Sequence, residues 1–175
     1  MDENIQKWEF IEERIVFMVA SKYSEINNLS CKIDNYGYRN KGLELDVTKI
    51  DIQPDFVLRF QNKDSEITVI KIEAQGMKPD YNQFHIKKHN IDIALKTGAY
   101  FIHASGIGKS NERYVVISPF KLRGVVNKSI EKFGVVGFPG TSCSDFPEGK
   151  PCYRFLDEWF EWNYTNSISG KLIIH

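Results

Sequence analysis

The chain has 175 residues, of which 42% are hydrophobic and 13% aromatic, so its composition excludes a disordered protein and suits one domain with a sizeable core. No apolar run approaches the ~20 residues of a transmembrane helix, and the short apolar run near the start lacks the basic segment of a signal peptide. A net charge of zero excludes a uniformly basic protein. We therefore expect a single cytoplasmic domain over residues 1–175, with no membrane partner.

Charge is nevertheless unevenly distributed along the chain. Residues 57–130 carry 12 basic and 6 acidic side chains, whereas residues 1–56 carry 7 and 11, and residues 131–175 carry 4 and 6. A basic middle beside acidic flanks suits a polyanionic substrate, with metal ions neutralising the carboxylates. The alternative is a surface whose charge is unevenly distributed and which binds no partner.

Three cysteines, Cys31, Cys143 and Cys152, are an odd number and show no CxxC spacing. This pattern predicts free thiols, and a Cys143–Cys152 disulfide or metal pair is the alternative.

Residues 4–23 predict an amphipathic helix, because apolar residues such as Ile11 and Ile15 recur at three- and four-residue spacing. Glu12 and Glu13 lie in its first half, where the helix dipole favours acids. The alternation of residues 43–47 then predicts a half-buried strand.

A β-hairpin is predicted over residues 54–76. Pro54 is tolerated at the first position of a strand, and β-branched residues dominate the second strand after a polar turn. Side chains of a strand alternate between faces, so Glu73 and Gln75 share one face with Lys71. If Asp55 begins the adjoining strand, its carboxylate and that of Glu73 converge on one point, as a hard divalent cation requires.

The residues Pro54-Asp55, 17 intervening residues and Glu73-Ala74-Gln75 resemble the PD-(D/E)xK nuclease superfamily, whose best-known members are type II restriction endonucleases. Gln75 replaces the usual final lysine, as in some type II restriction enzymes. The resemblance covers roughly residues 2–133. It implies an α/β, restriction-endonuclease-like sandwich with a central mixed β-sheet of about five strands flanked by helices. It also implies a homodimer that cuts double-stranded DNA at a short palindromic site.

The resemblance further implies a metal site. Asp55, Glu73 and the main-chain carbonyl of Ala74 would hold one or two Mg²⁺ ions, with Mn²⁺ able to substitute. Gln75 can bind water or a phosphate oxygen, but it brings no positive charge and cannot act as a base. A second metal ion, or a nearby lysine, would replace the missing charge, the candidate lysines being Lys71, Lys87 and Lys88.

In this family an acid from the first helix often joins the metal site. Glu12 and Glu13 are the two candidates, and the residues themselves do not choose between them. Favourable contact with the helix dipole is the alternative role for both.

Residues 81–97 predict a second helix, with Asp80 as its N-cap and Gly98 as its stop. His85 and His89 would then lie one turn apart, where they could share a metal; solvated or phosphate-facing side chains are the favoured alternative.

Two apolar runs, residues 99–104 and 113–118, predict a strand pair, and His103 on the first is expected in the core. Their connecting loop contains GxGKS without the GxxxxGK[ST] spacing and without a following helix, so no nucleotide cofactor is expected. We expect this loop to reach a DNA groove through Lys109, Ser110 and Asn111.

Residues 119–133 predict a third helix, which Gly134 ends. The loop-rich part that follows, residues 135–175, suits DNA recognition or dimerisation, with a short strand at residues 172–174. Within its long loop the candidate DNA-contacting residues are Ser142, Ser144 and Lys150.

Two other functions remain open at this point. One is another nuclease of the same fold, such as a junction resolvase, repair nuclease or homing enzyme, because a fold does not fix function. The other is a domain of this fold that binds nucleic acid or a protein without cutting.

Overall fold

The computed structural model of the chain describes residues 3–36, 54–77, 83–138, 147–166 and 171–175. Their helices are α1 (Glu3–Asn27), α2 (Lys88–Thr97) and α3 (Pro119–Phe133). Their strands are β1 (Ser30–Asn35), β2 (Phe56–Gln61), β3 (Ile67–Met77), β4 (Gln83–Lys87), β5 (Tyr100–Ser105), β6 (Arg113–Ile117), β7 (Val136–Gly137), β8 (Pro151–Leu156) and β9 (Asn163–Tyr164). A 3₁₀ turn covers Asp157–Trp159. No helix in these ranges has the length and apolar character needed to span a bilayer.

The strands form two sheets. The larger, sheet A, has the order β1-β2-β3-β5-β6-β9; β3 and β5 run parallel and every other neighbouring pair is antiparallel. The smaller, sheet B, is antiparallel, with the order β4-β8-β7. The prediction of an α/β fold around a mixed sheet is confirmed. Sheet A has one strand more than the expected five, and sheet B was not anticipated.

Sheet A separates two hydrophobic cores. On one face α1 packs against the sheet through side chains that include Ile15, Val16 and Val19. The other face is covered by α2, α3 and sheet B. Successive side chains of each strand point to opposite faces of the sheet, so one strand contributes to both cores. In β5, for example, Ile102 packs in the α1 core and Phe101 in the opposite core. Together α1, sheet A and the α2/α3 layer form a sandwich.

The predicted hairpin and first helix are confirmed, and β1 is an addition. β2 and β3 pair antiparallel, with Phe56 opposite Ile72. β1 pairs with β2 at the edge of sheet A, although no strand was expected over those residues. Its sequence SCKIDN has little apolar content and mostly partial burial, so it carries a weak strand signal. The strand predicted at residues 43–47 lies outside the described residues.

The prediction of a helix over residues 81–97 is wrong in its first part. Residues 83–87 form β4, and the helix begins at Lys88. The apolar side chains of β4, Phe84 and Ile86, are buried, and its backbone pairs with β8, a distant segment that local periodicity cannot reveal. His85 therefore lies on a strand and His89 on a helix, so the predicted one-turn spacing for a shared metal does not exist. Gly98 does end α2 with a positive φ of 67°.

The later elements follow the sequence more closely. α3 has the predicted bounds, and the Ser118 side chain accepts a hydrogen bond from the Lys121 N–H at its start. The expected last strand is reduced to one bridge between Val116 and Ile174. Cys31 and Cys152 are free thiols, as predicted; burial raises the pKa of Cys152 to about 11, and Cys143 lies outside the described residues.

His103 is a core residue, as predicted. It is fully buried in β5, and its ring stacks on Phe84 with the ring centroids 4.2 Å apart. Burial, together with a smaller effect of the nearby positive charge of Arg113, lowers the pKa of His103 from 6.5 to about 3.

We expect His103 to make the protein less stable in mild acid. The unfolded chain takes up this proton near pH 6.5 and the folded chain only near pH 3. The contribution of neutral His103 to the free energy of unfolding is therefore complete above pH 6.5. It is lost as the pH falls towards 3, by at most about 1.4 kcal/mol per pH unit. The free energy of unfolding, measured in urea between pH 7 and pH 4, should fall less steeply with decreasing pH in His103→Phe than in the wild type. His89→Gln, at an exposed site, should leave this pH dependence unchanged. Equal slopes for His103→Phe and the wild type would contradict this assignment.

Candidate active site

The C-terminal part of β3 extends past the start of β2. Since Phe56 pairs with Ile72, residues 73–77 of β3 have no β2 partner on that edge. Two main-chain N–H groups of this edge bind carboxylates instead. Ala74 N donates to Asp55 Oδ2 at 3.1 Å, and Gly76 N donates to Glu12 Oε1 at 2.9 Å. We name this place the β3 notch, formed by Glu12, Asp55, Glu73, Ala74 and Gly76.

Glu73 lies on β3 directly before Ala74, the first of the two residues whose N–H groups bind carboxylates. Its side chain is only 3% exposed. Continuing the β2–β3 register by one residue brings Asp55 opposite Glu73, where Cβ atoms of facing residues are about 5 Å apart. Because the N–H and C=O of one residue point to the same side of a strand, the Ala74 carbonyl faces the notch with its N–H. The backbone register is compatible with the predicted convergence of Asp55, Glu73 and the Ala74 carbonyl, which stays a prediction.

The donors of the notch suit a hard cation. They are oxygen atoms only, from carboxylates and one main-chain carbonyl, as Mg²⁺ and Mn²⁺ prefer. Among the described residues, no group of three or more His, Cys, Asp or Glu side chains is arranged to hold a metal. Mg²⁺ is commonly held by one or two carboxylates with water and substrate phosphate completing its shell, so the donor set of the notch fits it.

The structure distinguishes the two acids of the first helix. Glu12 reaches the end of β3 through its hydrogen bond from Gly76 N. Glu13 turns instead towards β1, where its Oε1 accepts from Asn35 Nδ2 at 3.3 Å. Glu12 is therefore the residue of α1 that joins the notch. The sequence could not choose between adjacent acids, because the choice depends on how α1 is rotated against sheet A.

Gln75 departs from the role that the family resemblance implies. Its amide nitrogen donates to the His85 carbonyl at 2.8 Å, and its amide oxygen accepts from Lys87 N at 3.2 Å. The side chain is 6% exposed. Both ends of the amide are thus bound to the backbone of β4, so Gln75 joins sheet A to sheet B. Binding a water or phosphate would require breaking a buried hydrogen bond, and a structural role replaces the expected catalytic one.

The three lysines proposed to replace the missing charge have different surroundings. Lys71 Nζ donates to the Thr97 carbonyl at 3.2 Å, at the end of α2. Lys88 Nζ pairs with Asp92 at 2.5 Å on the surface of the same helix. Only Lys87 belongs to the strand that Gln75 holds, and its Nζ lies 5.8 Å from the Phe138 ring centroid. Lys87 is therefore the best supported of the three.

The loop between β5 and β6 lies at the same end of sheet A as the notch, because Met77 pairs with Ser105. Its predicted DNA-contacting residues, Lys109, Ser110 and Asn111, are exposed. At the base of this loop Glu112 accepts hydrogen bonds from the Arg14 side chain and from Gly108 N, the latter at 2.8 Å.

The Arg14–Glu112 contact links the loop to α1, two residues from Glu12. Burial acts to raise the pKa of Glu112, but the hydrogen bonds from Arg14 and Gly108 outweigh it, so the pKa lies below its ordinary value. Sequence reasoning missed both residues, since 98 positions separate them and neither belongs to a motif.

The long loop after α3 is described only at its two ends. Ser142 and Ser144 lie outside the described residues. Lys150 is exposed, and its carbonyl accepts from Phe138 N at 2.7 Å, which closes the base of the loop. Phe138 also meets the His85 ring edge-on at 6.5 Å between centroids, so the loop begins beside β4.

Comparison of the chain with protein-family models, with curated proteins and with solved structures finds no significant match. The functional conclusion therefore depends on the β3 notch and its surroundings.

Proposed function

We propose that the protein is a Mg²⁺-dependent endonuclease of the PD-(D/E)xK kind that hydrolyses DNA phosphodiester bonds. The observation that carries this proposal is that Asp55 and Glu12 bind two main-chain N–H groups of β3 that follow Glu73 in the strand. Two carboxylates from separate segments are thus bound at one strand edge, next to a buried acid of that strand. Such an arrangement concentrates negative charge at one place, which a structural role alone does not require.

In the proposed mechanism, the carboxylates of Asp55 and Glu73 and the carbonyl of Ala74 would hold the ion. When bound, Mg²⁺ supplies hydroxide at neutral pH and offsets the charge that develops on the phosphate. Glu12, held against the end of β3, completes the acidic wall of the notch. Lys87 would add the positive charge that lysine supplies in related sites, while Gln75 keeps β4 and its lysine beside β3.

The proposed substrate is double-stranded DNA. The exposed Lys109, Ser110 and Asn111 project from the loop at the notch end of sheet A, and polar side chains of this kind read base edges. Cutting at a short palindromic site, as a type II restriction enzyme does, would require a two-fold dimer in the cytoplasm. These finer features are part of the proposal.

Incubation of the purified protein with phage DNA and Mg²⁺ tests the proposal. We expect discrete fragments, which indicate cleavage at specific sites, and no cleavage when EDTA is added. A continuous smear of fragments would indicate a general nuclease that cuts without sequence specificity. Intact DNA across a range of Mg²⁺ and Mn²⁺ concentrations would reject the nuclease and leave a domain that binds without cutting.

A further inference from the structure

An open groove lies on the outer side of α3, away from sheet A. Its volume is about 430 Å³, and α3 and the 3₁₀ turn that contains Trp159 line it. Of its eight described lining residues, three are basic, two are aromatic and none is acidic. The basic residues are Lys121, Arg123 and Lys128, and the aromatic residues are Phe120 and Trp159. The groove shares no residue with the β3 notch.

Two aromatic side chains line this groove, Phe120 exposed to solvent and Trp159 partly buried against the core. Phe120 is 91% exposed, although burying a side chain of this size is worth about 1.5–3 kcal/mol. Lys128 Nζ lies 4.3 Å from the centroid of the Trp159 ring. Phe133 extends the aromatic surface, with its ring 6.3 Å from that of Trp159 and inclined by 29°. Phe120 and the accessible part of Trp159 thus form an aromatic surface beside cations, and contiguous surfaces of this kind mark interaction sites.

The charges of α3 point to an anionic partner. The helix carries four basic residues and one acid, Glu131. Lys121 and Arg123 lie near the N-terminus of the helix, where the backbone dipole adds positive potential. On an ordinary solvated helix face, basic side chains often pair with acids four residues away. Few such acids are available to the basic side chains of α3.

We propose that this groove binds single-stranded nucleic acid, with the three basic side chains on phosphates and with Phe120 and Trp159 stacking on bases. An acidic peptide would satisfy the cations but would have no planar group for the rings. In a duplex the bases already stack on one another and cannot meet the rings. A positively charged groove interleaved with aromatic side chains is the usual way to hold a single strand regardless of its sequence. This proposal does not depend on the nuclease function.

The test is the fluorescence anisotropy of a labelled oligo-dT, with oligo-rU as the RNA arm, in EDTA so that no cleavage can occur. A strand of about 16 nucleotides covers the usual range of site sizes. The wild type should bind at low salt, with log K falling against log salt concentration at a slope of about −2, as three phosphate contacts on a single strand predict. Tighter binding of either oligomer identifies the preferred nucleic acid.

Variants separate the two kinds of contact. Phe120→Ala should weaken binding at least about 5-fold without changing the salt slope, because it removes a stacking partner only. Arg123→Glu should weaken binding and reduce the slope by about 1. Lys63→Glu, in the exposed β2–β3 turn, is the matched control and should bind as the wild type does. Because Phe120 and Arg123 are exposed, their variants should melt at the wild-type temperature.

Three results would overturn the proposal. One is wild-type affinity in both Phe120→Ala and Arg123→Glu. Another is displacement of the oligonucleotide by polyglutamate at the same charge concentration, which would assign the groove to an acidic protein instead. Absence of oligonucleotide binding by the wild type at low salt would also reject it.

Discussion

Asp55→Asn and Glu73→Gln are each expected to lower the rate of DNA cleavage at least about 10³-fold, because each removes a charge that holds the ion at the reacting phosphate. The substitutions are nearly isosteric. The asparagine side-chain oxygen can still accept the hydrogen bond from Ala74 N, so Asp55→Asn removes the charge and keeps the backbone contact. Cleavage of phage DNA at fixed Mg²⁺ concentration measures the effect.

The control for these variants is Asp64→Asn, in the exposed turn between β2 and β3. It should cut DNA at the wild-type rate. Ca²⁺-supported DNA binding should persist in Asp55→Asn and Glu73→Gln, which separates lost chemistry from lost folding. Mg²⁺ at ten times its dissociation constant should stabilise the wild type by about 1.4 kcal/mol, and these two variants less. Undiminished cutting by either variant would reject the metal site at the notch.

Gln75→Lys restores the residue that the nuclease family usually has, yet we expect it to destabilise the fold by about 2–4 kcal/mol and not to raise activity. Lysine can donate to the His85 carbonyl but cannot accept from Lys87 N. It would also bring a charge to a site that is 6% exposed. The free energy of urea unfolding and the cleavage rate are the two measurements.

Two further variants identify the origin of that loss. Gln75→Glu keeps an acceptor for Lys87 N but loses the donor to His85, and Gln75→Met loses both hydrogen bonds while filling a similar volume. Gln75→Met should therefore be less stable than the wild type and retain measurable cleavage. If Gln75→Lys were as stable as the wild type and cut DNA faster, the amide would be a substitute for a catalytic lysine and not a link between sheets.

The part of the fold that sequence predicted best is the part that local pattern determines. Pro54 and the β-branched run ending in Glu73 predict the β2–β3 hairpin, because alternation and turn chemistry act over a few residues. The third helix was predicted at its correct bounds for the same reason, since Pro119 suits a first turn and Gly134 a stop. The position of Asp55 beside Ala74 follows from the hairpin register.

Contacts between distant segments could not be predicted in this way. β4 was read as helix because its pairing with β8 is a tertiary contact that overrides local preference. The choice of Glu12 over Glu13 depends on the rotation of α1, and the hydrogen bonds of Gln75 depend on where sheet B docks. The metal-binding role that similarity to a motif predicts for the acids stays a prediction, whereas the contacts of Gln75 give that residue a structural role.

The ion pair at the base of the β5–β6 loop gives the molecule a mechanical linkage. Glu112 binds both the Arg14 side chain and the Gly108 N–H. The loop is therefore tied to α1, the helix that carries Glu12. A ligand that shifts the loop would therefore either break this ion pair or move α1 together with the loop.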